Sequence, residues 1–96
     1  MFKVVVSPRA WEDFFEIFEY IARDDRNAAA RFCDGLLNHI ELLGTFPHIG
    51  VSSTQARGVR SVLHTPIRIY YRVDENRQAV EVIHFWHTAR QPPSNF

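Results

Sequence analysis

Cysteine is almost absent from the chain, and long apolar runs are absent altogether. Cys33 is the only cysteine among the 96 residues, so no internal disulfide can form, which fits the reducing cytoplasm. No apolar run approaches the ~18–20 residues that a membrane-spanning helix needs. Met1 leads into a strand pattern without the marks of a signal peptide. We therefore expect a cytoplasmic protein with no membrane contact.

Lysine and net charge are scarce as well. Lys3 is the only lysine beside ten arginines, and the formal net charge is zero. The first 50 residues carry eight acids and five bases, whereas the remaining residues carry three acids and six bases. The first half predicts a solvated acidic surface and the second half one suited to an anionic partner. Proteins that dock into ribosomal RNA usually carry a basic excess, so zero net charge disfavours that class.

Two stretches predict amphipathic helices that pair as an antiparallel hairpin. Ser7 and Pro8 suit the start of the first helix, and the second helix is predicted to start after Asp25 or Asn27 and to end at Gly44. The first helix has an apolar stripe that is predicted to face the protein core; it consists of Trp11, Phe14, Phe15, Phe18, Ile21 and Ala22. The acids that fall outside this stripe, on the predicted solvated face, are Glu12, Asp13, Glu16 and Glu19.

Strand patterns surround these helices. A short strand over Phe2–Val6 precedes them, and a loop over residues 45–58 follows them. Three strands are then predicted at about Arg60–His64, Ile67–Val73 and Ala79–His87, the middle one with strict period-two alternation. The sequence therefore predicts an α+β domain of order β-α-α-β-β-β, a small, mostly antiparallel sheet with the hairpin packed on one face. Residues 1–96 form one domain, with residues 91–96 predicted to be a flexible tail.

Pairing Val73 with Ala79 across the last turn gives a definite register. It places Arg68 opposite His84 and Tyr70 opposite Val82. The face turned away from the helices then carries arginine, tyrosine and histidine side chains, which suits partner binding. The candidate partner-binding residues are Arg68, Tyr70, Arg72, His84, Trp86 and Arg90.

Several strings in this order resemble a known family. They are SPRAWEDFFEIFEYIA, AAARFCDGLLNHIELLGTFPHIG, VRSVLHTPIRIYYRV and VEVIHFWHTAR. Together, from about Val4 to Arg90, they resemble the ParE/RelE toxins of bacterial type II toxin–antitoxin systems. The acidic first helix, the FPHIG segment and the closing HTAR are more similar to the ParE branch.

The resemblance implies a toxin that binds and poisons DNA gyrase and that a cognate ParD-like antitoxin neutralises. The RelE branch offers an alternative, a nuclease that cuts messenger RNA on the ribosome. A third possibility is a binding module that keeps the fold without toxicity. We expect the antitoxin to lay an amphipathic segment along the helical hairpin and over the exposed sheet.

The nuclease alternative requires a base, an acid and cations for the developing phosphorane charge. The resemblance carries basic residues of the nuclease branch onto Arg68 and Arg90, and a late histidine onto His87, a residue type that can act as an acid or a base. Arg60 stands where that branch has lysine, and arginine cannot act as a base. We therefore expect no catalytic residue. If the protein is a nuclease, the candidate catalytic residues are Arg60, Arg68, His87 and Arg90. The histidines show no metal-ligand spacing, so neither metal nor cofactor is expected.

Overall fold

The computed structural model describes residues 1–94 and 96, and it contains two helices and a five-stranded sheet. The elements in chain order are β1 (Lys3–Val6), α1 (Pro8–Ala22), α2 (Arg26–Thr45), β2 (Val51–Ser52), β3 (Val59–His64), β4 (Ile67–Asp74) and β5 (Ala79–His87). The strands lie in the order β1-β5-β4-β3-β2, with β1 parallel to β5 and the other pairs antiparallel. This confirms the predicted α+β architecture and adds the two-residue edge strand β2. None of the helices described is both long and apolar enough to span a membrane.

The first helix begins where the sequence predicts, but it buries a different face. Ser7 caps α1 by accepting a hydrogen bond from the Ala10 amide at 3.1 Å. The buried positions are Ala10, Asp13 and Phe14, whereas Phe15 is 59% exposed. The predicted stripe is therefore wrong at Trp11 and Phe15, which lie at or near the surface, and the prediction of a solvated Asp13 is also wrong. Large apolar residues cover more of the helix circumference than the sheet can bury.

The second helix runs past its predicted end. Asp25 is the N-cap, and α2 continues through Gly44 to Thr45, so Gly44 is an interior helical residue rather than the C-cap. A Cβ atom at position 44 would lie 2.6 Å from the carbonyl oxygen of Phe2. Glycine is thus required at position 44, because the residues before β1 approach α2 closely there. The Phe2 amide donates a hydrogen bond to the Gly44 carbonyl at 2.8 Å.

The main core lies between the hairpin and one face of the sheet. Its buried members are Ala10, Phe14, Cys33, Leu36, Ile40, Leu43, Ile67, Ile69, Tyr71, Val80, Val82 and Phe85. We call the opposite side of the sheet the open face; it carries a second, smaller buried cluster of Val59, Tyr70 and Ile83. Because successive strand residues point to opposite sides, this division decides which candidate side chains share a surface.

The predicted register between β4 and β5 is wrong by one residue at the turn. Ala79 pairs with Asp74 instead of Val73. The Asp74 carboxylate accepts a hydrogen bond from the Arg77 amide at 3.1 Å, and Gln78 adopts a positive φ of 49°. These turn contacts set a four-residue connection, one residue shorter than the predicted connection.

A β-bulge then changes the pairing farther along β5. Tyr71 pairs with Val82 and Tyr70 pairs with His84, which leaves Ile83 as the extra residue and turns it to the open face. Beyond the bulge Arg68 lies opposite Trp86, not opposite His84 as predicted. The alternation of apolar residues alone did not reveal the bulge, because valine and isoleucine suit either face.

Candidate functional site

The open face brings three of the six candidate partner-binding residues together. Arg68 lies across from Trp86, and its Nη1 donates to the Ser61 hydroxyl at 3.1 Å. The Arg90 guanidinium carbon lies 4.0 Å from the centre of the Trp86 ring, a cation–π geometry. Two arginines therefore surround one half-buried indole at the end of β5, an arrangement suited to an anionic or aromatic partner.

Tyr70 and His84 lie beside this group, but they are covered. Each is only 4% exposed, and the Phe96 ring packs edge-on against both at centroid distances of 5.2 and 6.0 Å. His84 also contacts the Trp86 ring at 5.4 Å. These two candidates contribute an aromatic surface beneath the chain's own C-terminal segment.

His84 is held in place by the buried carboxylate of Asp13. Nδ1 of His84 lies 2.9 Å from Oδ2 of Asp13, and the same oxygen accepts the Phe85 amide at 3.2 Å. β1 ends at Val6, which pairs with Val82, so the Phe85 amide lies beyond the reach of that strand. Asp13 thus ties α1 to the uncovered edge of β5.

Arg72 lies apart from the Trp86 group, across from Glu81. It lines a cavity of about 290 Å³ together with Ser7, Arg9 and His84 near the start of α1. This second basic position also borders Phe96.

The four residues weighed for RNA cleavage do not all converge. Arg90 lies near Arg68 at Trp86 and borders one cavity with His87, but Arg60 lies elsewhere. Nη1 of Arg60 donates to the Gly50 carbonyl at 2.8 Å, and Arg60 pairs with Tyr71 while His87 pairs with Ile67. These partners are four residues apart on β4, which corresponds to about 13 Å at the rise of a strand. Arg60 is therefore engaged in holding the loop before β2. His87 is exposed, and its Nδ1 accepts the Ala89 amide at 3.0 Å.

The loop held by Arg60 also rests on Tyr71. The Tyr71 hydroxyl donates to the Pro47 carbonyl and accepts the Gly50 amide, both at 2.9 Å. Burial raises the pKa of Tyr71, which keeps the hydroxyl protonated and able to donate. A Cβ at position 50 would lie 2.6 Å from this hydroxyl, so only glycine permits the contact.

An apolar cavity of about 510 Å³ opens between α1 and the ends of β4 and β5. Its lining residues are Asp13, Glu16, Ile17, Tyr20, Ile21, Phe32, Pro66, Ile67, Phe85, His87 and Arg90. Apolar side chains line most of it, and its charged groups include two acids of α1 and Arg90. A cavity of this kind suits the apolar side chain of a partner segment.

The outer face of α1 extends this surface. The sequence predicted its acids to be exposed and the hairpin to bind a partner, but it assigned Phe15 to the core and did not single out Tyr20. Phe15 and Tyr20 are 59% and 72% exposed, and Trp11 stacks on Phe15 with ring centres 5.9 Å apart. Glu12, Glu16 and Glu19 lie among these rings. The available signal was the width of the aromatic pattern, which exceeds one helix face. Exposed aromatic groups rimmed by charge mark interaction sites.

No group of three metal-ligating side chains occurs within residues 1–94 and 96. His39 and His64 form a pair with their Nδ1 atoms 2.8 Å apart, which joins α2 to the end of β3. Burial raises the pKa of the Cys33 thiol, and the neighbouring Asp34 charge adds to the effect. The thiol is therefore a core group and not an activated nucleophile.

Comparison with known proteins shows which protein family the sequence matches. The family model for the ParE toxin of type II toxin–antitoxin systems, parDE, matches residues 4–92. No curated protein matches the chain.

Three solved structures share the fold. The chromosomal ParDE system from P. aeruginosa is 17% identical with a TM-score of 0.77, over 91% of this chain and 96% of that chain. The RelBE2 toxin–antitoxin complex from Mycobacterium tuberculosis is 21% identical with a TM-score of 0.58, over 90% and 96% of the two chains. The YoeB/ParE toxin from Agrobacterium tumefaciens is 24% identical with a TM-score of 0.62, over 88% and 96%.

Proposed function

Since the chain belongs to the family of ParE toxins of type II toxin–antitoxin systems, we propose that this toxin acts by binding DNA gyrase and poisoning it, without a catalytic centre of its own. The resemblance to the ParE branch supplies gyrase as the target. We further propose that it acts in the cytoplasm and that a ParD-like antitoxin neutralises it.

The separation of Arg60, Arg68 and His87 is the observation that carries the non-enzymatic mechanism. General acid–base cleavage of RNA needs its acid, base and cations within hydrogen-bond reach of one phosphodiester. Arg60 lies on the helix side of the sheet and is bound to backbone carbonyls, whereas Arg68 lies on the open face with Ser61. These residues therefore support structure and binding better than they support a shared reaction.

The antitoxin has two suitable surfaces to cover. The first is the outer face of α1 with its adjoining apolar cavity, where Phe15 and Tyr20 offer apolar area and Glu16 and Glu19 offer charge. The second is the open face around Trp86. An amphipathic segment with basic flanks fits the first surface, because apolar burial and charge pairing at the rim together give affinity and register.

Gyrase supercoiling and cleavage-complex accumulation with purified toxin test the proposal directly. We expect trapped cleavage complexes, and we expect translated messages to stay intact by primer extension in a translation extract given the same toxin. Addition of the purified cognate antitoxin should restore supercoiling. Codon-position cuts with normal supercoiling would refute the gyrase mechanism and favour the ribosome-dependent nuclease. Growth that continues after induction without antitoxin would indicate a non-toxic binding module.

A further inference from the structure

The C-terminal segment, of which the structure describes residues 91–94 and 96, returns over the open face. Pro93 is buried, and the Trp86 indole nitrogen donates to the Gln91 carbonyl at 2.8 Å. Phe96 then lies edge-on against Tyr70 and His84. The segment thus places one aromatic ring on the surface that carries most of the candidate partner-binding residues.

The surface beneath Phe96 has the composition of a receptor for an aromatic side chain. Tyr70 and His84 supply ring walls, and Val59 and Ile83 complete the apolar base. We call these four residues the aromatic cage. Its walls are fixed, because Tyr70 lies in the middle of the sheet and Asp13 holds His84. Edge-to-face ring contacts of this kind add to the gain from apolar burial.

The border of the aromatic cage is basic. Arg68, Arg72 and Arg90 come from β4 and from the turn after β5, and among the described residues none of the three forms an ion pair. The cavity of about 290 Å³ beside Phe96 adds Arg9 to this border, against the single acid Glu81. An occupant with acidic groups next to its aromatic ring therefore matches the surface better than a neutral or basic one.

We propose that the aromatic cage is the docking site for an acidic peptide segment that carries a phenylalanine-like side chain, and that Phe96 occupies the cage until such a segment displaces it. The chain's own Phe96 shows which side chain the cage accepts, and the arginine border selects the charge of the flanking residues. The assignment of this segment to the antitoxin rests on the proposed function; the binding chemistry does not.

Displacement makes a quantitative prediction. The apparent dissociation constant of the acidic segment equals its intrinsic value divided by the fraction of molecules whose cage is vacant. Replacement of Phe96 by alanine vacates the cage permanently. If Phe96 fills the cage in about nine molecules of ten, Phe96→Ala tightens binding by about tenfold.

Calorimetric titration of the full chain with a short synthetic peptide of glutamates around one phenylalanine tests the proposal. We expect the peptide to bind the Phe96→Ala variant more tightly than the wild type, by about tenfold for a cage that Phe96 fills in about nine molecules of ten. The matched control Phe46→Ala removes an exposed phenylalanine outside the cage and should bind as the wild type does. Peptides with alanine for phenylalanine, or lysine for glutamate, should lose binding to Phe96→Ala.

Equal affinity of the peptide for Phe96→Ala and wild type would overturn the proposal, as would equal binding of the alanine peptide. Arg72→Glu combined with Phe96→Ala should weaken binding of the glutamate peptide, and an unchanged affinity would remove the charge argument. Circular dichroism of each variant checks that the fold is retained. The titration uses a synthetic peptide, so its result can be interpreted even if the protein does not poison gyrase or is not neutralised by an antitoxin. Those two functions are tested in separate assays.

Discussion

Asp13 shows how a residue that looks like a surface acid in the sequence can hold two elements together. It stands in a run of acids on α1, yet its carboxylate faces β5 and is almost fully enclosed. Burial of a carboxylate is costly unless hydrogen bonds compensate. Here the His84 ring and the Phe85 amide compensate, and Arg9 adds a longer contact at 3.8 Å. The sequence contains no local sign of this role, because both main partners lie more than 70 residues away.

We predict that Asp13→Ala lowers the free energy of unfolding by about 3 kcal/mol, because it removes the buried carboxylate that accepts from the Phe85 amide and contacts the His84 ring. Urea denaturation measures the change. Glu12→Ala is the matched control, since Glu12 is exposed on the same turn, and it should change stability by less than about 0.5 kcal/mol. Equal effects of the two substitutions would contradict a structural role for Asp13.

His64 gives the fold a pH dependence of known sign. Burial, and secondarily the neighbouring His39, lower the pKa of His64 below its ordinary value of 6.5. The unfolded chain therefore binds more protons than the native protein between the lowered pKa and 6.5. The contribution of neutral His64 to the free energy of unfolding is fully present above pH 6.5. It is lost as the pH falls through this window, by at most about 1.4 kcal/mol per pH unit for one proton.

We predict that the wild type loses more stability than His64→Gln when the pH is lowered from neutral to mildly acidic values. Chemical denaturation at each pH provides the comparison, and His39→Gln should also reduce the loss because it removes the second imidazole. An identical pH profile for wild type and His64→Gln would show that the pair does not control the acid response.

At the scale of elements, the sequence predicted the helices and the main strands because their apolar periodicity is strong. It could not predict the β4–β5 register, which depends on the turn at Gln78 and on the bulge at Ile83. A one-residue slip exchanges the faces of a strand, so the error moved Ile83 to the helix side and placed Arg68 beside the wrong partner. The two-residue strand β2 was missed because two residues are too few to show an alternating pattern.

The candidate site was predictable to a similar extent. Arg68 was named from the alternation of β4, Trp86 from the predicted β4–β5 register and Arg90 from the family resemblance, and the three lie together. The cover formed by Phe96 and the exposed aromatic residues on the outer face of α1 were not predicted. Both depend on where the helix and the tail pack on the sheet, which periodicity does not specify.

We predict that Phe15→Ala and Tyr20→Ala each raise the dissociation constant of the antitoxin complex, by about tenfold or more if they are binding hot spots. Both side chains are largely exposed, so the stability of the toxin alone should change little. Calorimetry with the cognate antitoxin gives the affinity. Ile49→Ala removes an exposed apolar residue of the loop before β2 and serves as the control. An affinity loss as large for Ile49→Ala would argue against a specific site on α1.

At the scale of the whole molecule, zero net charge conceals two surfaces of opposite sign. The outer face of α1 is acidic, whereas the open face is bordered by arginines. One partner that covers both surfaces needs a basic stretch and an acidic stretch in turn. Its orientation is then fixed, since reversal would place like charges in contact.

We predict that neutralising each surface weakens antitoxin binding independently. Glu16→Gln with Glu19→Gln changes the α1 surface, and Arg68→Gln with Arg72→Gln changes the open face away from the cavity that Glu16 and Arg90 share. Each pair of substitutions should weaken the complex by roughly tenfold at low salt. Among the residues described, no hydrogen bond or ion pair joins these four side chains across the two surfaces. The combined variant should therefore lose the sum of the two free energies within about 0.5 kcal/mol. Arg77→Gln is the charge control, because Arg77 lies in the β4–β5 turn with only Asp74 as its ion-pair partner among the residues described. If neutralising one pair abolished the effect of the other, a single shared contact region would have to replace the two-surface arrangement.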